Sequence, residues 1–138
     1  MENDKKLETL FLIPSSLDQD AIYDFMVEEQ RSKIRDLKYF IVENEKSARK
    51  TIKKLKLSTP IQELIIVPHN KNTPIDTLTS YIKPLLEGKN IGLLSDAGVP
   101  CVADPGSKIV TLAHQNNIKV VPLVGPSSII LSLMASGF

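Results

Sequence analysis

Three short stretches have the composition of a binding site: Pro14-Ser15-Ser16, Ser95-Asp96-Ala97-Gly98-Val99-Pro100 and Val124-Gly125-Pro126-Ser127-Ser128. Each follows an apolar run and precedes a helical pattern. Small residues let a ligand approach the backbone, and the N–H groups of a helix start favour anionic groups. In an open parallel sheet such loops meet at the carboxyl ends of the strands, where ligands bind. Together they describe a slot for a small molecule carrying an adenosine or a carboxylate. Each alone has a plainer reading. Asp96 to Pro100 can be a simple strand-to-helix turn, and Gly125 to Ser128 or Asp104-Pro105-Gly106 a simple helix start.

The titratable groups near these loops are Asp96, Glu43 and His69, and the residue types leave the choice of a base open among them. A loop histidine such as His69 is more often solvated than functional. His114 lies late in a helical pattern, where positive charge is favourable in any case. Cys101 has no histidine close in sequence to activate it and reads as a small buried residue. Lys46, Arg49, Lys50, Lys53, Lys54 and Lys56 make one helix face basic. A solvated face is the plain reading; contact with a nucleic-acid phosphate backbone is the sharper one.

Other chemistries are disfavoured. No G-x-G-x-x-G follows the first apolar run, so a nicotinamide fingerprint is absent, and no P-loop signature occurs. Two histidines and one cysteine argue against a zinc site of the usual kind, and no metal is expected. A single cysteine rules out an internal disulfide. The 138 residues suit one domain, with 42% hydrophobic and 24% charged residues as in ordinary globular chains. A formal net charge of +1 gives no global sign of a nucleic-acid binder, so only a local cluster could carry one. The polar start Met1 to Lys6 is unlike a signal peptide, and no apolar run reaches the ~20 residues that span a bilayer. A cytoplasmic chain is expected, with no membrane partner.

These loops need elements to hold them. Short apolar runs alternate with helical patterns, the mark of βαβ units on a parallel sheet. Strands are expected at Thr9 to Ile13, Tyr39 to Val42, Glu63 to Val67, Ile91 to Leu94 and Lys119 to Leu123. A helix is expected over Asp18 to Gln30, with Ile22, Phe25 and Met26 on one face. Asn44 reads as the cap of a second helix that runs to about Leu55, with Ala48, Ile52 and Leu55 inward. Thr73 and Pro74 open a third helix that Pro84 should interrupt near Tyr81 to Lys83, and Gly88 ends it. Asp104 and Pro105 open a fourth, closed by Asn116-Asn117. Pro126 opens a fifth, which Gly137 stops. The expected fold class is α/β, a three-layer α/β/α arrangement with a five-stranded parallel sheet. A helix cap close to residue 138 suggests a complete first domain whose partner domain is missing.

At two of the loops the sequence resembles the tetrapyrrole methylase superfamily, the class III S-adenosylmethionine methyltransferases. It looks closest to the branch of the bacterial 16S rRNA ribose 2′-O-methyltransferases. Ser95-Asp96-Ala97-Gly98-Val99-Pro100, with Asp104-Pro105-Gly106, is similar to that branch's Ser-Asp-Ala-Gly-Thr-Pro and Asp-Pro-Gly. Val121-Pro122-Leu123-Val124-Gly125-Pro126-Ser127 is similar to its Val-Pro-Leu-Pro-Gly-Pro. The resemblance implies an N-terminal domain over residues 1–138, a separate C-terminal α/β domain, and S-adenosyl-L-methionine bound between them. It places the cofactor at Pro14, at Ala97, Gly98 and Val99 with Asp96 adjacent, and at Ser127 and Ser128. Homodimers are the family's usual form.

Departures from the branch pattern bear on the acceptor. After the first strand the branch carries Pro-Ile-Gly-Asn-Leu, where this chain has Pro14-Ser15-Ser16-Leu17. After the second it carries Glu-Asp-Thr-Arg, where this chain has Glu43-Asn44-Glu45-Lys46. The tetrapyrrole enzymes' Gly-Asp-Pro is Gly98-Val99-Pro100 here, without the acid. The implied activity is methyl transfer to an rRNA ribose 2′-hydroxyl or a related acceptor. A tetrapyrrole carbon acceptor and a non-catalytic binding or scaffold role remain the alternatives. An in-line transfer asks the protein mainly for alignment, and a hydroxyl acceptor also asks for removal of its proton.

Overall fold

The apolar runs become five parallel strands in the order β3-β2-β4-β1-β5 in a computed structural model, which describes residues 8–15, 26–95 and 106–137. The strands are β1 (Thr9–Ile13), β2 (Tyr39–Val42), β3 (Ile65–Pro68), β4 (Ile91–Leu94) and β5 (Lys119–Pro122). The helices are α1 (Glu28–Ile34), α2 (Glu45–Lys54), α3 (Ile75–Tyr81), α4 (Lys83–Leu86), α5 (Ser107–Gln115) and α6 (Ser128–Ser136). A single 3₁₀ turn over Ile61–Glu63 precedes β3.

Strand pleating sorts the core into two layers. Phe11, Ile13, Phe40, Val42 and Leu94 point to one face and pack with Ile34 of α1 and Ala48 and Ile52 of α2. Leu10, Leu12, Ile41, Ile91 and Leu93 point to the other and pack with Leu78, Ile82, Leu85, Ile109 and Ala113 from α3, α4 and α5. The sorting follows from right-handed crossovers. Moves toward β3 carry their helices on one face, and moves toward β5 carry theirs on the other. β4 is buried throughout because it lies in the middle of the sheet, and its run reads apolar at every position but one.

That exception is Gly92, which sits opposite Phe11 on β1 and Phe40 on β2. A Cβ there would lie 2.7 Å from Ile13 Cδ1 and 2.9 Å from two carbons of the Phe40 ring. The glycine therefore makes room for the large residues of both neighbouring strands.

Helix ends follow local chemistry. Asn44 caps α2, its side chain accepting from the Ser47 N–H at 3.1 Å. The helix after Pro74 ends at Tyr81 and resumes as α4 at Lys83, as Pro84 requires. Gly88, Asn117 and Gly137 take left-handed φ of 86°, 57° and 79° at chain reversals after helices.

Several expected boundaries move. β3 begins at Ile65 rather than Glu63, because Pro60 starts the 3₁₀ turn that includes Glu63. β5 closes at Pro122, one residue early. α1 extends to Ile34, well past Gln30, and the earlier part of the expected Asp18–Gln30 helix lies outside the described residues. Pro74 itself is the cap residue of α3; the Thr73 hydroxyl is turned back to accept from the Asn70 N–H at 3.0 Å. α5 starts at Ser107, with Asp104 and Pro105 outside the described residues, and α6 starts at Ser128 rather than Pro126.

Candidate functional site

The strand register places the ends of all five strands side by side. Val42 pairs with Leu94 on β4 and with Pro68 on β3, Ile13 pairs with Leu94, and Leu12 pairs with Pro122 on β5. The next residues out are therefore His69, Glu43, Ser95, Pro14 and Leu123, in that order across the sheet. β1 and β4 are neighbours whose outgoing connections cover opposite faces. That is the switch point at which an open parallel sheet presents its crevice.

Hydrogen bonds among the described residues hold these ends. The Ser15 hydroxyl, 1% exposed, donates to the Ser95 carbonyl at 3.0 Å and staples the exit of β1 to that of β4. The His69 N–H donates to the Val42 carbonyl at 2.7 Å and extends the β2–β3 pairing by one residue. The Val124 N–H donates to Oε1 of Gln30 at 3.1 Å, so α1 anchors the start of the loop that leaves β5. That loop ends at Ser127, whose side chain caps α6 by accepting from the Ile130 N–H at 3.4 Å.

Among the expected site residues, the fold brings Pro14 beside Ser95, the residue from which the central loop departs. Ser127 and Ser128 lie at the start of α6, five and six residues beyond β5, with Ser128 exposed. Asp96, Ala97, Gly98 and Val99 lie outside the described residues, as do Ser16, Pro100 and Cys101. Of the three candidate bases, Glu43 and His69 come together. They line one small recess with Val42, Leu93, Leu94, Ser95 and Gly106. The recess holds about 10 Å³, room for roughly a single water, so a larger ligand would lie over the strand ends and outside it.

His69 is not the solvated loop residue expected: it is 2% exposed, because the extended β2–β3 pairing draws it under Glu43 and the start of α5. His114 is exposed in the last turn of α5, as its helical position implies. The sequence motifs do not include Gln30. Gln30 meets Val124 across 94 residues of chain, which no local pattern encodes. Gly106, the last residue of the Asp104-Pro105-Gly106 motif, lines the recess with Glu43 and His69.

Four of the basic residues of α2, with Lys56 just past its end, fall on its outer face. Lys46, Arg49, Lys50, Lys53 and Lys56 are exposed, whereas Lys54 is half-buried. No helix among the described residues is long and apolar enough to cross a membrane. A larger hollow, lined by Lys33, Asp36, Tyr39 and Lys89 among others, opens at the amino ends of β2 and β4, at the opposite end of the sheet from the loops.

A parallel sheet covered by helices on both faces, with its switch point at the exits of β1 and β4, defines a domain of the doubly covered α/β class. Comparison with known proteins gives the family. The chain is 34% identical over 105 residues to the ribosomal RNA small subunit methyltransferase I of Leptospira biflexa, a match covering 76% of this chain and 42% of that protein. It is 45% identical over 69 residues to the protein of that name from Vibrio cholerae, covering 50% of this chain and 23% of the other. The Xylella fastidiosa protein of the same name is 31% identical over 104 residues, covering 75% and 36%. No protein-family model matches the chain. The chain belongs to the tetrapyrrole methylase family, among relatives named rRNA small subunit methyltransferase I. The matches span less than half the length of these relatives.

Proposed function

We propose that this chain forms the cofactor side of an S-adenosyl-L-methionine-dependent methyltransferase acting on small-subunit rRNA, with a ribose 2′-hydroxyl as the acceptor. The observation that carries the reading is the match to the Leptospira biflexa protein across 76% of the chain. The three relatives described above are named for rRNA, which favours that acceptor over a tetrapyrrole.

The described strand ends suit the cofactor. Pro14, Ser15 and Ser95 offer short side chains over which an adenosine could lie. Among the described residues at these exits (Pro14, Ser15, Glu43, His69, Ser95, Leu123 and Val124) none is lysine or arginine. A cationic ligand thus meets no fixed positive charge there, and Glu43 supplies a carboxylate. Asp96, Ala97, Gly98 and Val99, which follow Ser95 in sequence, and Ser127 and Ser128 at the start of α6 are the residues we assign to the cofactor. When bound, S-adenosyl-L-methionine supplies an electrophilic methyl on a sulfonium. The chain's own part is alignment: the Ser15–Ser95 staple joins the exits of β1 and β4, and the Gln30–Val124 contact anchors the start of the loop after β5 to α1. Glu43, half-buried at the exit of β2, is the described group that could take the proton of an acceptor hydroxyl, with the buried His69 behind it in the same recess.

Isothermal titration of the full-length protein with S-adenosylhomocysteine, followed by transfer of labelled methyl to 16S rRNA, tests the reading. Binding and transfer are expected together. No binding at millimolar ligand sinks the cofactor assignment, and binding without transfer leaves the chain a non-catalytic member of the family.

A further inference from the structure

We propose that the outer face of α2 is a docking surface for the phosphate backbone of RNA, an inference that rests on the rRNA reading above. Lys46, Arg49, Lys50 and Lys53 stand at i, i+3, i+4 and i+7, within an arc of about 100° on the helix. The arc is opposite the buried Ala48 and Ile52, and all four side chains are exposed. Lys56 continues the row just past the helix end.

This stripe works against the helix that carries it. Like charges at i, i+4 repel, as Lys46 does Lys50 and Arg49 does Lys53. Lys46 sits in the first turn, where the helix dipole disfavours a cation. The exposed acids close by on the same or the adjoining element are Glu45 and Glu63. Among the described residues neither forms an ion pair with the stripe; Glu45, four residues before Arg49, offsets the repulsion at one position only. A chain of net charge +1 thus concentrates cations on one helix. The row from Lys46 to Lys53 is about 10 Å long, which matches roughly three successive phosphates on one strand. Placement supports the same partner. α2 begins directly after Glu43 and its cap Asn44, so the row starts at the mouth of the proposed site and runs away from it. An RNA strand held along it could present a neighbouring ribose at the strand ends.

The test is fluorescence anisotropy of the full-length protein with labelled, transcribed 16S rRNA across a series of salt concentrations. The triple variant Lys46→Gln, Lys50→Gln, Lys53→Gln removes three backbone contacts. It should lower the slope of log affinity against log salt by about two and weaken binding at least tenfold at moderate salt. A control triple, Lys83→Gln, Lys108→Gln, Lys119→Gln, removes the same charge from exposed sites on other elements and should keep most of the affinity. Replacing the three stripe lysines by arginine should retain binding. Unchanged binding in the stripe variant, or equal loss in both triples, overturns the proposal. So does loss of binding to phosphatidylserine vesicles with rRNA binding intact. The stripe variant should still bind S-adenosylhomocysteine. If wild-type protein fails to bind that ligand, it is the cofactor assignment that fails, and the salt slopes still decide the docking surface.

Discussion

Gly92 gives the sharpest test of how the sheet is built. In Gly92→Ala the new methyl would sit 2.7 Å from Ile13 Cδ1 and 2.9 Å from Cδ1 and Cε1 of Phe40. Comfortable carbon contacts begin near 3.5 Å, so something must move by roughly 0.6–0.8 Å. Ile13 is 0% exposed and Phe40 1% exposed, so neither can swing into solvent. Overpacking of this kind costs about 1–3 kcal/mol. Replacing a strand glycine by alanine returns about 0.5–1 kcal/mol of backbone entropy. The clash wins, and a net loss of about 0.5–2 kcal/mol is expected. For 138 residues the unfolding entropy is about 0.29 kcal/mol/K, so the midpoint should fall by about 2–7 °C. Ile13→Val removes the Cδ1 that stands closest and alone costs about 0.5–1.5 kcal/mol. In the double variant the valine leaves space for the alanine methyl. Denaturant unfolding followed by circular dichroism should then show the pair less destabilised than the sum by about 0.5 kcal/mol or more. An alanine variant as stable as the parent, or strictly additive losses, would refute the close approach of β1, β2 and β4 at this level.

Further outcomes follow from single contacts. Asn44→Ala should cost about 1 kcal/mol through loss of the α2 cap and Asn44→Asp almost nothing, read from thermal midpoints; equal effects would remove the cap assignment. Ser15→Ala should cost about 1 kcal/mol by breaking the β1–β4 staple and should weaken S-adenosylhomocysteine binding in the full-length protein, measured by calorimetry. Gln30→Ala should raise the dissociation constant for the same ligand with little change in unfolding midpoint, since it releases one loop contact at a half-buried position. Ile130→Ser with Met134→Ser should reduce binding of a hydrophobic dye by the 138-residue chain without lowering its midpoint, because α6 exposes Ile129, Ile130, Leu131, Leu133 and Met134 by 47–70%.

The parallel α/β class and three strand ranges were legible because buried strands write themselves as short continuous apolar runs. β1, β2 and β4 match those runs residue for residue. Asn44 and Gly137 were legible because caps depend on a few neighbouring atoms. Misplaced boundaries arose where two local rules competed. Pro60 turned Glu63 into a 3₁₀ turn before the β-branched run could claim it, and at the start of α3 the hydroxyl of Thr73 found the Asn70 N–H rather than a helix N–H. The strand order was beyond reach, since it depends on crossover choices with no local signature. With it went the knowledge that Glu43 and His69 share a recess, and that Gln30 holds the loop after β5.

The departures from the rRNA branch pattern after the first and second strands fall at positions where the framework makes its own demands. Ser15 stands where the branch pattern differs after the first strand, and its buried hydroxyl ties the exits of β1 and β4 together, the two strands that flank the crevice. Asn44 stands where the branch has aspartate, and it caps α2 as aspartate would, since both side chains offer an acceptor to the first free N–H groups. Lys46 stands at the arginine position and keeps the positive charge, though not the planar fork of donors that grips a phosphate with two bonds. At Asn44 the cap of α2 is kept, and at Lys46 the charge is kept without the fork, so the exchange bears on the strength of the proposed grip beside the crevice. A row of four cations at helical spacing is a natural compensation. Several single-point contacts along a backbone can replace one bidentate contact, provided that they act together. If that holds, Lys46→Arg alone should tighten rRNA binding in the full-length protein while flattening its dependence on the other three. A neutral or weakening effect would count against compensation and leave Lys46 an ordinary member of the row.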